Sequence, residues 1–319
     1  MIDPQAKLWS QPDAISAFLA HDDTAPPVQI EIAPTNRCNA RCPWCFYVAH
    51  ASKPRHSRQD LPIEALADAL RDARDLGVQA IGWSGGGDPS LYRAMTEAVE
   101  LAQACGLQQG LFTNGYKFLP CADKLAWVRI SITERLVVPR TAAQYASCTR
   151  TGVVVNVTPE NVDQLDRLAR EARAAGVHYF QVRPALADHW TRQPALECPQ
   201  ALLSHETATF RVILSPYKWS DCHQPQGYPV CHGHRLVPFI WYDGSVTVCG
   251  YHFGKPEFAF GNLHQESLAS IWRGPKRRQM LARGVRVVES CQHCCKLHEV
   301  NKALARLRRE CRLEHEEFV

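Results

Sequence analysis

The chain has 319 residues, 45% of them apolar and 21% charged. That is enough to bury one large core, alone or with a small attached domain, and it excludes wholesale disorder. The net charge of +4 is too small and too dispersed to imply nucleic acid or an anionic membrane. No apolar run is long enough for a membrane span, and Met1-Ile2-Asp3-Pro4 does not open a secretory signal. Fourteen cysteines in a long chain without an export signal point to metal or redox chemistry in a reducing cytoplasm.

Residues 1–27 carry Pro4, Pro12, Pro26 and Pro27 and read as a lead-in. Val28–Ile32 is the first predicted strand. A helix follows on Ile63, Leu66, Ala69, Leu70, Ala73 and Leu76, with Pro62 to start it and Gly77 to stop it. Ala80–Trp83 is the second strand, 90–105 a helix, Leu111–Thr113 the third strand and Trp127–Ile132 the fourth. Val153–Val157 is the fifth. Thr158 is then expected to cap a helix with Pro159 in its first turn, Val162, Leu165, Leu168, Ala169 and Ala172 on its apolar face, and Gly176 beyond it. Tyr179–Val182 is the sixth strand.

Strands alternating with helices imply a parallel sheet, since parallel neighbours need crossovers. Six units are too few for a closed eightfold barrel, so an α/β partial barrel is expected. Ligands gather at the carboxyl ends of such strands. The distinctive loops lie there: 34–46, 84–89, 113–115 and Arg183-Pro184. The expected division is a barrel over 28–183, a linker with one helix over 184–230, and a small cysteine-rich domain over 231–319. The last helix carries Leu297, Val300, Leu304, Leu307 and Cys311 on one stripe, which makes Cys311 a packing residue.

Cys38-Asn39-Ala40-Arg41-Cys42-Pro43-Trp44-Cys45 places three thiols in C-x3-C-x2-C spacing after the first strand. Three thiolate ligands on a four-iron cluster leave one iron open, whereas the ferredoxin run would need a fourth cysteine. A zinc site borrowing His50 or His56, or plain buried thiols, are the alternatives. The motif, with an aromatic at Trp44, resembles the radical S-adenosylmethionine superfamily over residues 28–183. The resemblance implies that Cys38, Cys42 and Cys45 hold a [4Fe–4S] cluster whose open iron binds S-adenosylmethionine. Reductive cleavage would then yield a 5′-deoxyadenosyl radical that takes a substrate hydrogen. It also implies a reductant such as flavodoxin or ferredoxin.

Gly85-Gly86-Gly87-Asp88 follows strand two and resembles the family's G-G-E segment, with Asp in place of Glu. Its glycines let backbone approach a ligand, here the cofactor's ammonium, and Trp44 belongs to the same cofactor-binding set. Ser131 and Arg183 end strands four and six, and the resemblance makes them candidates for ribose or carboxylate contacts. Turn chemistry and a surface ion pair are the alternatives.

Cys231, twelve residues, Gly244, four residues and Cys249, then Cys291-Gln292-His293-Cys294, resemble the twitch module, a short form of the SPASM extension. In that family Cys231, Cys249, Cys291 and Cys294 would close around one auxiliary [4Fe–4S] cluster. An all-thiolate zinc site is the alternative. Trp241–Val248 reads as a hairpin turning at Asp243-Gly244. Seven cysteines remain. Cys105, Cys121 and Cys148 lie on or beside barrel helices and are expected to be buried. Cys198, Cys222 and Cys295 sit nearer the mouth, while His223, His232, His234, His252, His293 and His298 read as surface groups or groups behind the ligands.

Three functions compete. The resemblance first suggests an isomerase, a radical epimerase of aminoglycoside antibiotic biosynthesis of the neomycin C epimerase type, acting on a carbohydrate-like substrate. Cys295, Cys222 or Cys198 would return the hydrogen, with Cys249 in reserve. A twitch dehydrogenase oxidising an aminocyclitol, or a peptide-modifying enzyme, is the alternative. The peptide reading loses weight here because only 27 residues precede strand one, too few for a leader-recognition domain. The third function, a zinc-stabilised binding module, fits poorly with an open three-cysteine site.

Overall fold

The computed structural model describes residues 4–45, 47, 58–185, 196–220, 227–287, 291 and 295–310. The chain opens with α1 (Pro4–Trp9) and α2 (Pro12–Leu19) before β1 (Gln29–Ile32). The barrel region continues as α3 (Ile63–Leu76), β2 (Ala80–Trp83), α4 (Met95–Ala104), β3 (Gln108–Thr113) and β4 (Trp127–Ser131). After these come α5 (Thr141–Cys148), β5 (Arg150–Val157), α6 (Leu165–Ala174) and β6 (Tyr179–Pro184). The remainder begins with β7 (Arg211–Ile213), α7 (Tyr217–Ser220), β8 (Val230–Cys231), β9 (Phe239–Ile240) and β10 (Ser245–Thr247). It closes with β11 (Ala259–Asn262), α8 (Leu268–Arg273), α9 (Pro275–Arg283), β12 (Val285–Arg286) and α10 (His298–Glu310).

Strands β1 to β6 are parallel neighbours in sequence order, as the alternation requires. The sheet stays open and is longer than six strands. At one end β7 adds in parallel to β6. At the other, β9 pairs in parallel with β1, and β10 and β11 extend it antiparallel. Neither addition is visible as periodicity, because two- and three-residue strands hold less than one repeat of apolar alternation. Residues 184–230 therefore hold a strand as well as the expected helix.

One face of the sheet carries Ile30, Ile32, Ile81, Trp83, Leu111, Val128, Ile130, Val153, Val155 and Phe180. All are buried against Leu66, Leu70, Val99, Leu165 and Leu168 of the covering helices. Removing the Phe180 ring from this layer should cost about 3–5 kcal/mol. A urea midpoint for Phe180→Ala that falls with an unchanged slope would show it; an unchanged midpoint would refute it.

The opposite face is filled by a different device. A Cβ on Gly110 would lie 2.1 Å from the Trp127 ring, and one on Gly152 would lie 2.0 Å from Tyr179. These missing side chains admit an aromatic floor near the amino ends of the strands. There Arg129 lies over Phe112 and Trp127 at 5.1 and 5.5 Å. The carboxyl ends are left for the site.

Helix α3 starts at Pro62 and stops at Gly77, whose φ of 92° only glycine adopts freely, as its sequence predicts. The expected Thr158 cap does not form. Asn161 Oδ1 instead accepts from Thr158 N at 2.9 Å, a 3-10 turn intervenes, and the helix starts at Leu165. Val162 is consequently 38% exposed. The lead-in forms two helices that pack Leu8 and Phe18 on Val300, Ala303 and Leu304 of α10. Cys121 is buried, but Cys105 is half-buried and Cys148 exposed. Among the described residues no helix is long and apolar enough to cross a membrane. Cys311 lies outside the described residues.

Candidate functional site

The loop after β1 is fixed before its first cysteine. Asn36 exchanges hydrogen bonds with Gln59, donating N–H to its carbonyl at 3.1 Å and accepting from its N–H at 2.7 Å. Arg37 Nε donates to both Asp60 oxygens, at 2.9 and 3.1 Å. Cys38, Cys42 and Cys45 follow, all half-buried, with Trp44 buried among them. Burial, with the Asp88 and Cys45 charges adding, pushes the Cys38 thiol up to about 11. Burial and the Glu134 carboxylate push Cys42 up to about 12. Cys42 Sγ donates to Glu134 Oε2 at 3.2 Å. Raised in this way, the Cys38 and Cys42 thiols hold protons that a metal centre must displace. Three thiols in one loop suit a cluster with one open iron, and His50 and His56 lie outside the described residues.

The glycine loop after β2 lies directly on this lead-in. A Cβ on Gly87 would sit 2.2 Å from the Arg37 carbonyl oxygen, to which Asp88 N donates at 2.7 Å. Gly86 meets the Tyr242 ring in the same way, at 2.9 Å. The Asp88 carboxylate is turned inward. It accepts from Ser90 N at 2.9 Å, Thr113 Oγ1 at 2.9 Å and Asn114 N at 2.5 Å. Its side chain thereby holds the end of β3. Asn114 completes the link, with Nδ2 donating to Asn39 Oδ1 at 2.6 Å and standing 3.9 Å from Cys38 Sγ.

Ser131 is half-buried at the end of β4. Arg183 donates from Nε to Asn156 Oδ1 at 2.9 Å, joining the ends of β6 and β5. Its charge also reaches Tyr47 and Tyr251, both half-buried, whose phenols are held well above the ordinary range by desolvation first. Tyr47 packs edge-on to Trp241 at 5.6 Å. The hairpin forms as its sequence predicts, with Gly244 at φ 79°. It brings Trp241 and Tyr242 over the cysteine loop.

The second cysteine group stands on β8, the segment after β10 and the approach to α10. Burial followed by the Cys295 charge pushes Cys231 up to about 11. Cys249 is raised by burial and then by Cys231 and Cys295. Cys291 is half-buried beside Tyr228. Cys295, expected as a free hydrogen donor, is thus in the electrostatic field of the ligand candidates. Cys294 and Cys222 lie outside the described residues. Cys198 packs against the main core and accepts from Gln200 at 3.7 Å. Among the described residues, no three His, Cys, Asp or Glu side chains are gathered around a single-ion position.

Of the two expectations for the histidines, surface groups or groups behind the ligands, burial excludes the first for four of them. His232, His234, His252 and His298 are buried, and desolvation lowers the first three to about 4, 3 and 4. Neutral imidazoles pack here as aromatics, as where His252 stacks on Phe258 at 3.7 Å. His223 and His293 lie outside the described residues. Sequence reasoning missed Asn36, Glu134 and Asn301. Of these only Asn301 left a signal, an amide among the apolar positions of α10.

A parallel partial barrel with a three-cysteine loop at its mouth is the architecture of a radical enzyme built on S-adenosylmethionine. Residues 32–184 match the radical SAM superfamily, and residues 231–295 match SPASM, an iron–sulfur cluster-binding domain. A PqqA peptide cyclase of Xanthomonas euvesicatoria is 33% identical over 309 residues, covering 85% of this chain and 81% of that protein. A tungsten-containing aldehyde ferredoxin oxidoreductase cofactor-modifying protein of Pyrococcus furiosus is 24% identical, covering 75% and 78%. The structure of SuiB of Streptococcus suis, bound to precursor peptide SuiA, shares the fold with a TM-score of 0.60 at 14% identity, covering 88% and 72%. The chain belongs to the radical SAM family that carries a SPASM domain, alongside the PqqA peptide cyclases. A [4Fe–4S] cluster, S-adenosylmethionine and auxiliary iron–sulfur binding come with that membership.

Proposed function

We propose that the chain modifies a peptide, joining two of its side chains by carbon-centred radical chemistry. The observation that carries this reading is the 33% identity, sustained over 309 residues, with a PqqA peptide cyclase. It favours the peptide alternative over epimerisation of an amino sugar. The bound cofactor supplies a 5′-deoxyadenosyl radical that removes a hydrogen atom from the substrate. Cys38, Cys42 and Cys45 would hold the cluster that cleaves it. Gly86 and Gly87 let backbone reach the cofactor, and Asp88 holds the β3 end beneath it. Cys231, Cys249 and Cys291, with Cys294 or Cys295, would hold the auxiliary cluster, which supplies an electron acceptor.

Ring closure takes two hydrogens from the peptide, one as an atom and one as a proton with an electron left behind. Anaerobically reconstituted chain, S-adenosylmethionine, a low-potential reductant and the short peptides encoded beside its gene form the test. The expected result is 5′-deoxyadenosine together with a peptide lighter by two hydrogens. An unchanged peptide, with an amino sugar inverted and labelled from heavy water, would replace this reading by the epimerase.

A further inference from the structure

We propose that Asn301 is a positioning residue for the auxiliary site, gripping the Cys231 sulfur through its amide and shifting the cluster held there towards reduction. The inference rests on reading Cys231 as a ligand. Asn301 is fully buried on α10, where an amide is costly unless all of its groups are paired. Both its oxygen and its nitrogen have partners. Oδ1 accepts from His232 N at 2.6 Å and from Gly233 N at 2.9 Å. Nδ2 donates to Cys231 Sγ at 3.6 Å.

The two backbone donors decide which end of the amide is oxygen, so the NH2 group must face the sulfur. Neighbours allow little movement. A Cβ on Gly233 would already lie 2.7 Å from Leu297 and 3.3 Å from Asn301 Nδ2. Reduction adds negative charge to a cluster and its sulfurs, and an N–H dipole aimed at a sulfur stabilises that charge. The bond is therefore stronger in the reduced state and raises the potential. Asn114 stands in a similar relation to Cys38, but at 3.9 Å and shared with Asn39. The Asn301 contact is the shorter.

Asn301→Asp keeps an oxygen for the two backbone donors and removes the N–H facing Cys231. The readout is the potential of the cluster signal that S-adenosylmethionine leaves unperturbed, in fully loaded holoenzyme. At a fixed ambient potential its reduced-to-oxidised ratio should fall about tenfold, which is about 59 mV for a one-electron couple. An unchanged potential at full iron content overturns the proposal. A second measurement covers the case in which the variant fails to load. Wild-type protein carrying 15N in its asparagine side chains should show a weak nitrogen coupling to that cluster by pulsed EPR, and its absence overturns the proposal. Cys231→Ala separates the two readings: undiminished iron would remove the ligand assignment itself, whichever way Asn301 behaves.

Discussion

Replacing Cys38, Cys42 and Cys45 together by Ala should halve the iron and sulfide of reconstituted protein, from about eight of each to about four. Cofactor cleavage should vanish altogether. The argument lies in the donor set. The loop carries three thiols and Trp44 directly after a segment, 34–37, that is hydrogen-bonded to 58–61 and to the glycine loop. Glu134, the carboxylate at Cys42, is an oxygen donor and a poor substitute for thiolate on iron. Loss of all three thiols leaves nothing to hold that cluster, while the C-terminal group is untouched. Iron and sulfide analysis beside a 5′-deoxyadenosine assay checks both halves. Retained cleavage would sink the assignment; zinc with about four irons in the parent chain would make the C-terminal site structural.

Gly87→Ala should lower cofactor cleavage about 10²-fold while leaving iron content intact, the penalty expected when reacting groups are misplaced by an ångström. The obstruction is backbone on both sides. The new methyl would meet the Arg37 carbonyl oxygen at 2.2 Å and Asn36 C at 2.5 Å, so the glycine loop and the cysteine loop must separate. Gly86→Ala should do less, because its neighbour is the Tyr242 ring, a side chain that can rotate aside. Cleavage rates and cofactor affinity of the two variants test this ordering. A Gly87→Ala protein with undiminished cleavage would show that the close approach is incidental to the cofactor.

The six-strand order was legible because helices separate most of the strands and their apolar faces repeat over several turns, as Leu66, Ala69, Leu70 and Ala73 do, whereas only a 3-10 turn at Ala122–Lys124 lies between β3 and β4. Start and stop residues were legible where the backbone itself demands them, at Pro62 and Gly77. They failed where a later side chain takes up the backbone of the expected cap, as Asn161 Oδ1 does by accepting from Thr158 N. Cysteine spacing located both cysteine groups, since close ligands must be close in sequence or fall in marked pairs. Spacing could not weigh Cys294 against Cys295, adjacent residues whose distinction is one of direction. The inward turn of Asp88 was hidden for another reason. Its partners, Thr113 and Asn114, belong to a neighbouring strand, and only the register of β2 with β3 brings them near.

The pairing of β9 with β1 has a consequence for how such an enzyme changes over time. Glu31 and Ala33 donate their backbone N–H groups to the carbonyls of Pro238 and Ile240, so the strand that leads into the cysteine loop is hydrogen-bonded to the C-terminal region along its whole outer side. A different C-terminal region could not be exchanged for this one like a cassette. It would have to supply a parallel strand in the same register or leave a bare sheet edge, which invites association with other chains. Changes of substrate can accumulate in the connections around the mouth without disturbing that seam. Diversification in this architecture is therefore a matter of loops, with the two cysteine-bearing regions inherited together.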